Sequence, residues 1–99
     1  MSAIVLVVEI RTHRGQREAF IVRLRQHREN VRAHEPGCEQ FDILLPDEED
    51  GETCWLYERY SDDKAFADHN AAPYFQDYRA DTAAMIASRR RIVCRPTGG

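Results

Sequence analysis

The chain lacks any apolar run near the ~20 residues that a membrane-spanning helix requires. It also lacks a basic leader: MSAIVLVVEIRTHRG meets Glu9 after a few apolar residues, so it reads as a first strand and not as a secretion signal. The three cysteines, Cys38, Cys54 and Cys94, form no CxxC and cannot all pair. Reduced thiols in a cytoplasmic protein are therefore expected, with no disulfide and no structural metal. Cys54 and Cys94 fall inside strand patterns as small hydrophobes, and Cys38 follows a Pro-Gly turn. A basic excess is missing too. With a net charge of −3 and a pI near 5.8, the chain is not expected to bind nucleic acid or a membrane. The run Arg89–Arg91 and the arginines of VRLRQHRENVR read as a charged strand entry and a solvated helix face. There is no glycine-rich phosphate loop, dinucleotide fingerprint, HExxH or zinc spacing, so no cofactor is expected.

What is present fits one domain of 99 residues, 42% of them hydrophobic, which is too many for disorder. Ala3–Arg11 reads as a strand with faces Ile4, Leu6, Val8, Ile10 and Val5, Val7, Glu9, Arg11. Both faces begin apolar, so both should be covered. Gln16–His34 follows a helical period, with Phe20, Leu24, His27, Val31 and His34 on one stripe and Arg17, Arg25, Arg28 and Arg32 facing water. EPGC ends it: Pro36 pushes Glu35 off helical angles, and Gly37 is expected to supply the turn. Cys38–Leu45 is a second strand, with Phe41, Ile43 and Leu45 on one side, followed by the polar loop PDEEDGE. Thr53–Tyr60 is a third, with Trp55 and Tyr57 on one face and Cys54, Leu56, Glu58 and Tyr60 on the other. Ser61 is expected to cap a short helix through His69, and Pro73 opens the next, which carries Phe75, Tyr78, Thr82 and Met85. Arg91–Arg95 is the expected last strand and PTGG, 96–99, a frayed tail.

The order β-α-β-β-α-β is the ferredoxin-like arrangement of the α+β class, an antiparallel four-stranded sheet with helices on one face. The helix-free face then needs a cover, and a second copy is the simplest. A dimeric α/β barrel follows, with Val5, Val7, Trp55 and Tyr57 expected at that homodimer interface.

Glu58 and Tyr60 share a strand face, and the helix bearing His69 must return over it. His69 exchanges protons near neutral pH, as a general base must, with Glu58 to orient it. Two uses are open: a catalytic cleft, or hydrogen bonds that merely tie helix to strand. Tyr60 either donates to a substrate oxygen or keeps its hydroxyl in water at the edge of the core. Phe66, Phe75 and Tyr78 read as pocket walls or plain core, and His27 as a satisfied core-edge histidine.

The stretches RGQREAF, HEPGCEQFDI and WLYERYSDDKAFADHNAAPYF, together with the aliphatic first strand, resemble the antibiotic biosynthesis monooxygenase family over nearly the whole chain. The resemblance implies a dimeric α+β barrel with a cleft between sheet and helices. It also implies oxidation of small phenolic or quinol-like compounds by O2 without flavin or metal. Similar sequences include heme-degrading monooxygenases and an isomerase of a phosphorylated quorum signal. Val8 and Arg79 stand where the heme-degrading members carry an Asn and a heme-ligating His, so heme is not expected. Tyr60 stands where many relatives have Trp. On this reading His69, Glu58 and Tyr60 are catalytic, and Phe66, Phe75 and Tyr78 bind the substrate. Isomerisation of a small sugar-like ketone and non-catalytic binding of a small ligand are the other readings.

Overall fold

In a computed structural model, which describes residues 2–97, the chain runs β1 (Ile4–Thr12), α1 (Arg17–His34), β2 (Cys38–Leu44), β3 (Thr53–Tyr60), α2 (Asp63–Ala71), α3 (Pro73–Thr82), a 3-10 turn (Ala83–Met85) and β4 (Ile86–Cys94). The strands form one antiparallel sheet in the order β2-β3-β1-β4, the ferredoxin-like fold. Pro96 and Thr97 belong to no helix or strand, and the remainder of the expected frayed tail, Gly98 and Gly99, lies outside the described residues. None of the described helices is long and apolar enough to cross a membrane.

Strand β1 takes the centre because its aliphatic side chains can be buried there. Leu6, Val8 and Ile10 pair with Glu58, Leu56 and Cys54 of β3 on the helix-covered face. Val7 pairs with Tyr57 on the other face, where Trp55 lies opposite Glu9. Phe20, Leu24 and Val31 of α1, all fully buried, pack onto the first set together with Phe41, Phe75 and Tyr78. Burying one such aliphatic side chain contributes roughly 1.5–3 kcal/mol. His34, expected on the same stripe, is exposed, because α1 ends there and leaves the sheet.

Five local expectations are corrected. β4 begins at Ile86, well before Arg91, because pairing of Ser88, Arg89 and Arg90 with Arg11, Ile10 and Glu9 imposes a strand on a polar sequence. Met85 accordingly falls in the 3-10 turn instead of α3, and Leu45 lies beyond β2 and is exposed. The cap of α2 is Asp62, whose carboxylate accepts from the Ala65 N–H at 2.8 Å; the Ser61 N–H instead donates to the Gly37 carbonyl at 2.8 Å. Gly37 is not a left-handed turn residue: among the described glycines only Gly15 and Gly51 have positive φ. Its need is for room, since a Cβ there would lie 2.5 Å from the Cβ of Ala65 on α2.

Candidate active site

Glu58 and Tyr60 point from β3 toward the helices, and both are buried. The Tyr60 hydroxyl, expected at a wet edge, is instead fully enclosed and donates to Glu58 Oε1 at 2.5 Å. Bulk on both sides of β3 draws the ring inward, and the carboxyl supplies the partner that burial then requires. α2 turns back across this face and sets the His69 ring 4.8 Å from Tyr60 and 4.9 Å from Phe75, centroid to centroid.

Glu58 is not the group that orients His69. Nδ1 of the imidazole lies 2.9 Å and 3.2 Å from the two oxygens of Glu35, which also accepts from the Tyr74 hydroxyl. Glu35 is the C-cap of α1, held by its own N–H to the Val31 carbonyl at 2.8 Å. A carboxylate can only accept, so Nδ1 donates to Glu35 and Nε2 is the nitrogen turned toward Glu58. That nitrogen faces Glu58 Oε1 at 3.6 Å, too far for a direct hydrogen bond. Tyr60–Glu58 and His69–Glu35–Tyr74 are thus two hydrogen-bonded groups that face each other across this gap in the core.

Burial shifts these groups strongly. It pushes the Glu58 carboxyl up, against the opposing influence of the Tyr60 hydrogen bond and of His69. The Tyr60 phenol is held far above its ordinary range, first by burial and then by the Glu58 charge. His27, expected at the core edge with its polar atoms satisfied, is only 2% exposed, and its Nδ1 has no hydrogen-bond partner. Burial, then the neighbouring His69, lowers its pKa to about 4. The Cys38 thiol is pushed up to about 11, chiefly by burial, and is thereby a poor nucleophile at neutral pH.

Glu58, His69 and His27 line one internal cavity with Phe75, Tyr78 and a floor of Leu6, Val8, Ile10, Phe41 and Leu56. Arg89 and Arg91 of β4 complete the wall. The cavity measures about 10 Å³, enough for about one water. A cleft between sheet and helices was expected; the aromatic rings pack across it and leave only this small space. Phe75 and Tyr78 hold the wall positions expected of them. Phe66 does not: it packs behind Tyr60, ring centres 5.5 Å apart, with Arg91 over its other side. Tyr60 reaches the cavity only through Glu58. Among the described residues no set of three or more His, Cys, Asp or Glu is placed to hold a metal ion.

Sequence reasoning missed Glu35, Tyr74, Arg89 and Arg91, and it read His27 as a satisfied core-edge histidine where the structure has it lining the cavity. Glu35 sits inside the HEPGC motif but was legible only as a turn residue. The arginines of β4 were legible only as charge, because the strand register that aims two of them inward is a tertiary fact.

The family profile described as antibiotic biosynthesis monooxygenase matches residues 3–81. Solved structures of similar shape include a protein of Nitrosomonas europaea provisionally named an antibiotic biosynthesis monooxygenase, 26% identical, with a TM-score of 0.88 over 98% of this chain and 92% of that one. Rv0793 from Mycobacterium tuberculosis is 23% identical, with a TM-score of 0.87 over 99% and 98% of the two chains. A protein of Caulobacter crescentus, provisionally named in the same way, is 20% identical with a TM-score of 0.91 over 97% and 91%. No curated protein matches the chain. The profile runs from the start of β1 into the last turn of α3 and so takes in Glu35, Glu58 and His69 on the elements that carry them; the chain belongs to the antibiotic biosynthesis monooxygenase family.

Proposed function

We propose that this protein is a cofactor-independent monooxygenase that oxidises a small phenolic or quinol-like compound with O2. One observation carries the reading: a buried imidazole, fixed through Nδ1 by Glu35, turns a free Nε2 toward Glu58 and an aromatic-walled cavity. His69 takes the proton of a substrate hydroxyl, and the resulting electron-rich anion reduces O2. One oxygen atom enters the ring and the other leaves as water with two substrate hydrogens, so the substrate supplies all four electrons. Glu58, whose carboxyl is biased toward its protonated form by burial, donates a proton to the departing oxygen. Exclusion of water by Phe75, Tyr78 and the aliphatic floor protects the reactive anion. Tyr60 tunes Glu58 from behind, which replaces the direct contact with substrate first expected of it.

The working unit is proposed to be a homodimer joined through the helix-free sheet face. Val7, Trp55 and Tyr57 are half-buried there in the single chain, and Val5 is buried. Covering the remaining apolar area is the support for that assembly.

The test is oxygen consumption by metal-free protein across a panel of hydroquinones and phenols, with oxygen-18 gas to trace the inserted atom. Labelled product formed above the buffer rate is expected, and His69→Ala should lower turnover by about 10²–10⁴-fold. Absence of uptake across the panel, or an unimpaired His69→Ala variant, overturns the reading.

A further inference from the structure

β4 is an edge strand, and its positions opposite Val8 and Ile10 face the helix-covered side of the sheet. A core would fill them with aliphatic side chains. They hold Arg91 and Arg89, and both side chains border the cavity that contains Glu58 and His69. Arg91 donates to the neutral Asn70 amide at 2.5 Å, and its guanidinium lies 5.4 Å from the Phe66 ring centre. From α3, Arg79 lies 5.9 Å from the ring centre of Phe75, itself a cavity wall.

Among the described residues, none of these three cations has a carboxylate within ion-pair distance, whereas Arg17, Arg23 and Arg59 each meet one. Partial burial disfavours the Arg89 charge, Tyr78 and more weakly Glu58 favour it, and Arg79 and Arg91 oppose it. Three guanidiniums thus gather at one rim of a protein whose net charge is −3. All three stay exposed at their outer ends, so this rim offers hydrated positive charge without a carboxylate partner, which attracts an arriving anion. Guanidinium forks match the planar geometry of a carboxylate or phosphate oxygen pair.

We infer that the substrate carries an oxyanion, a carboxylate or phosphate, which Arg89 and Arg91 hold at the rim of the cavity with Arg79 beside them. This rests on the reading of the cavity as the substrate site and narrows the substrate class. The molecule is acidic at one end and bears the reacting hydroxyl at the other, directed at His69.

The decisive comparison is calorimetric binding of 4-hydroxybenzoate, its neutral counterpart 4-hydroxybenzamide, and inorganic phosphate to the intact protein. The acid should bind about tenfold or more tightly than the amide, and that advantage should shrink as salt rises from ~20 to ~200 mM. Arg89→Gln and Arg91→Gln should each erase the advantage, while Arg90→Gln, on the opposite face of β4, should leave it intact. Equal binding of acid and amide overturns the inference, as does failure of both the acid and phosphate to bind. The wild-type comparison needs no variant to fold. Charge-selective binding without oxygen uptake would keep the anion site and remove the monooxygenase reading; uptake with charge-indifferent binding would do the reverse.

Discussion

The His27 ring lies nearly parallel to that of Tyr78, 4.3 Å away and tilted by 9°, with one nitrogen unsatisfied. Its pKa of about 4 lies below the ordinary 6.5, so between those values the unfolded chain binds a proton that the native state refuses. Stability therefore falls as pH drops through this window, by about 3 kcal/mol from this residue. His27→Phe should flatten that limb in denaturant titrations at pH 4 and pH 7. Glu58 acts with the opposite sign. Its raised pKa makes its contribution greatest below the ordinary carboxyl pKa of 4.5, and that contribution is lost as pH climbs through the native value. Glu58→Gln should accordingly be better tolerated at pH 8 than at pH 4, relative to the parent protein. Glu35→Gln keeps an acceptor for Nδ1 but removes the carboxylate that holds both His69 and Tyr74, so turnover at pH 7 should fall while the circular dichroism spectrum stays that of the parent protein. Of this site, Glu58, Tyr60 and His69 were legible because two of them share a strand face and the third follows a short corner. Glu35 was not, for it meets His69 across 34 positions of chain, and no local pattern reports that contact.

At the scale of the element, the position of α2 decides the site, since that helix carries His69. The close approach of Ala65 to Gly37 and the hydrogen bonds between His69 and Glu35 and between Arg91 and Asn70 place it, and the Asp62 cap fixes where it starts. Asp62→Ala should cost about 1 kcal/mol in urea unfolding. Gly37→Ala should cost about 1–3 kcal/mol, because the added methyl must displace α2 or the β2 entry. That displacement should lower turnover as well. Gly15→Ala provides the contrast: nothing lies within 4 Å of its would-be Cβ, but a φ of +81° strains the backbone. It should reduce stability and spare the site. The elements themselves were legible wherever apolar residues kept a period, as in α1 and β3. β4 was shortened in the reading because Ser88 to Arg91 offer no apolar alternation; it is a strand through its partner β1, not through its own propensity.

For the whole molecule, the sheet presents one face to the helices and one to its surroundings. On the open face Val7 lies between Tyr57 and Ile92, a cross-strand row of apolar side chains. Tyr57→Asp should convert the proposed dimer to a monomer in light scattering and lower its melting temperature; an unchanged molecular mass would count against assembly through this face. That β1 is apolar on both sides was readable from its sequence, whereas the cavity volume depends on side chains from seven elements and is not written in any one segment. Trp55, the chain's one tryptophan, stands on that open face, across the sheet from the cavity. The intrinsic fluorescence of the protein is thus an optical gauge of the open face. Dilution through a dissociation point should shift the emission to the red as the indole meets water. A ligand entering beside His69 should leave that colour unchanged, so one spectrum separates assembly from occupancy.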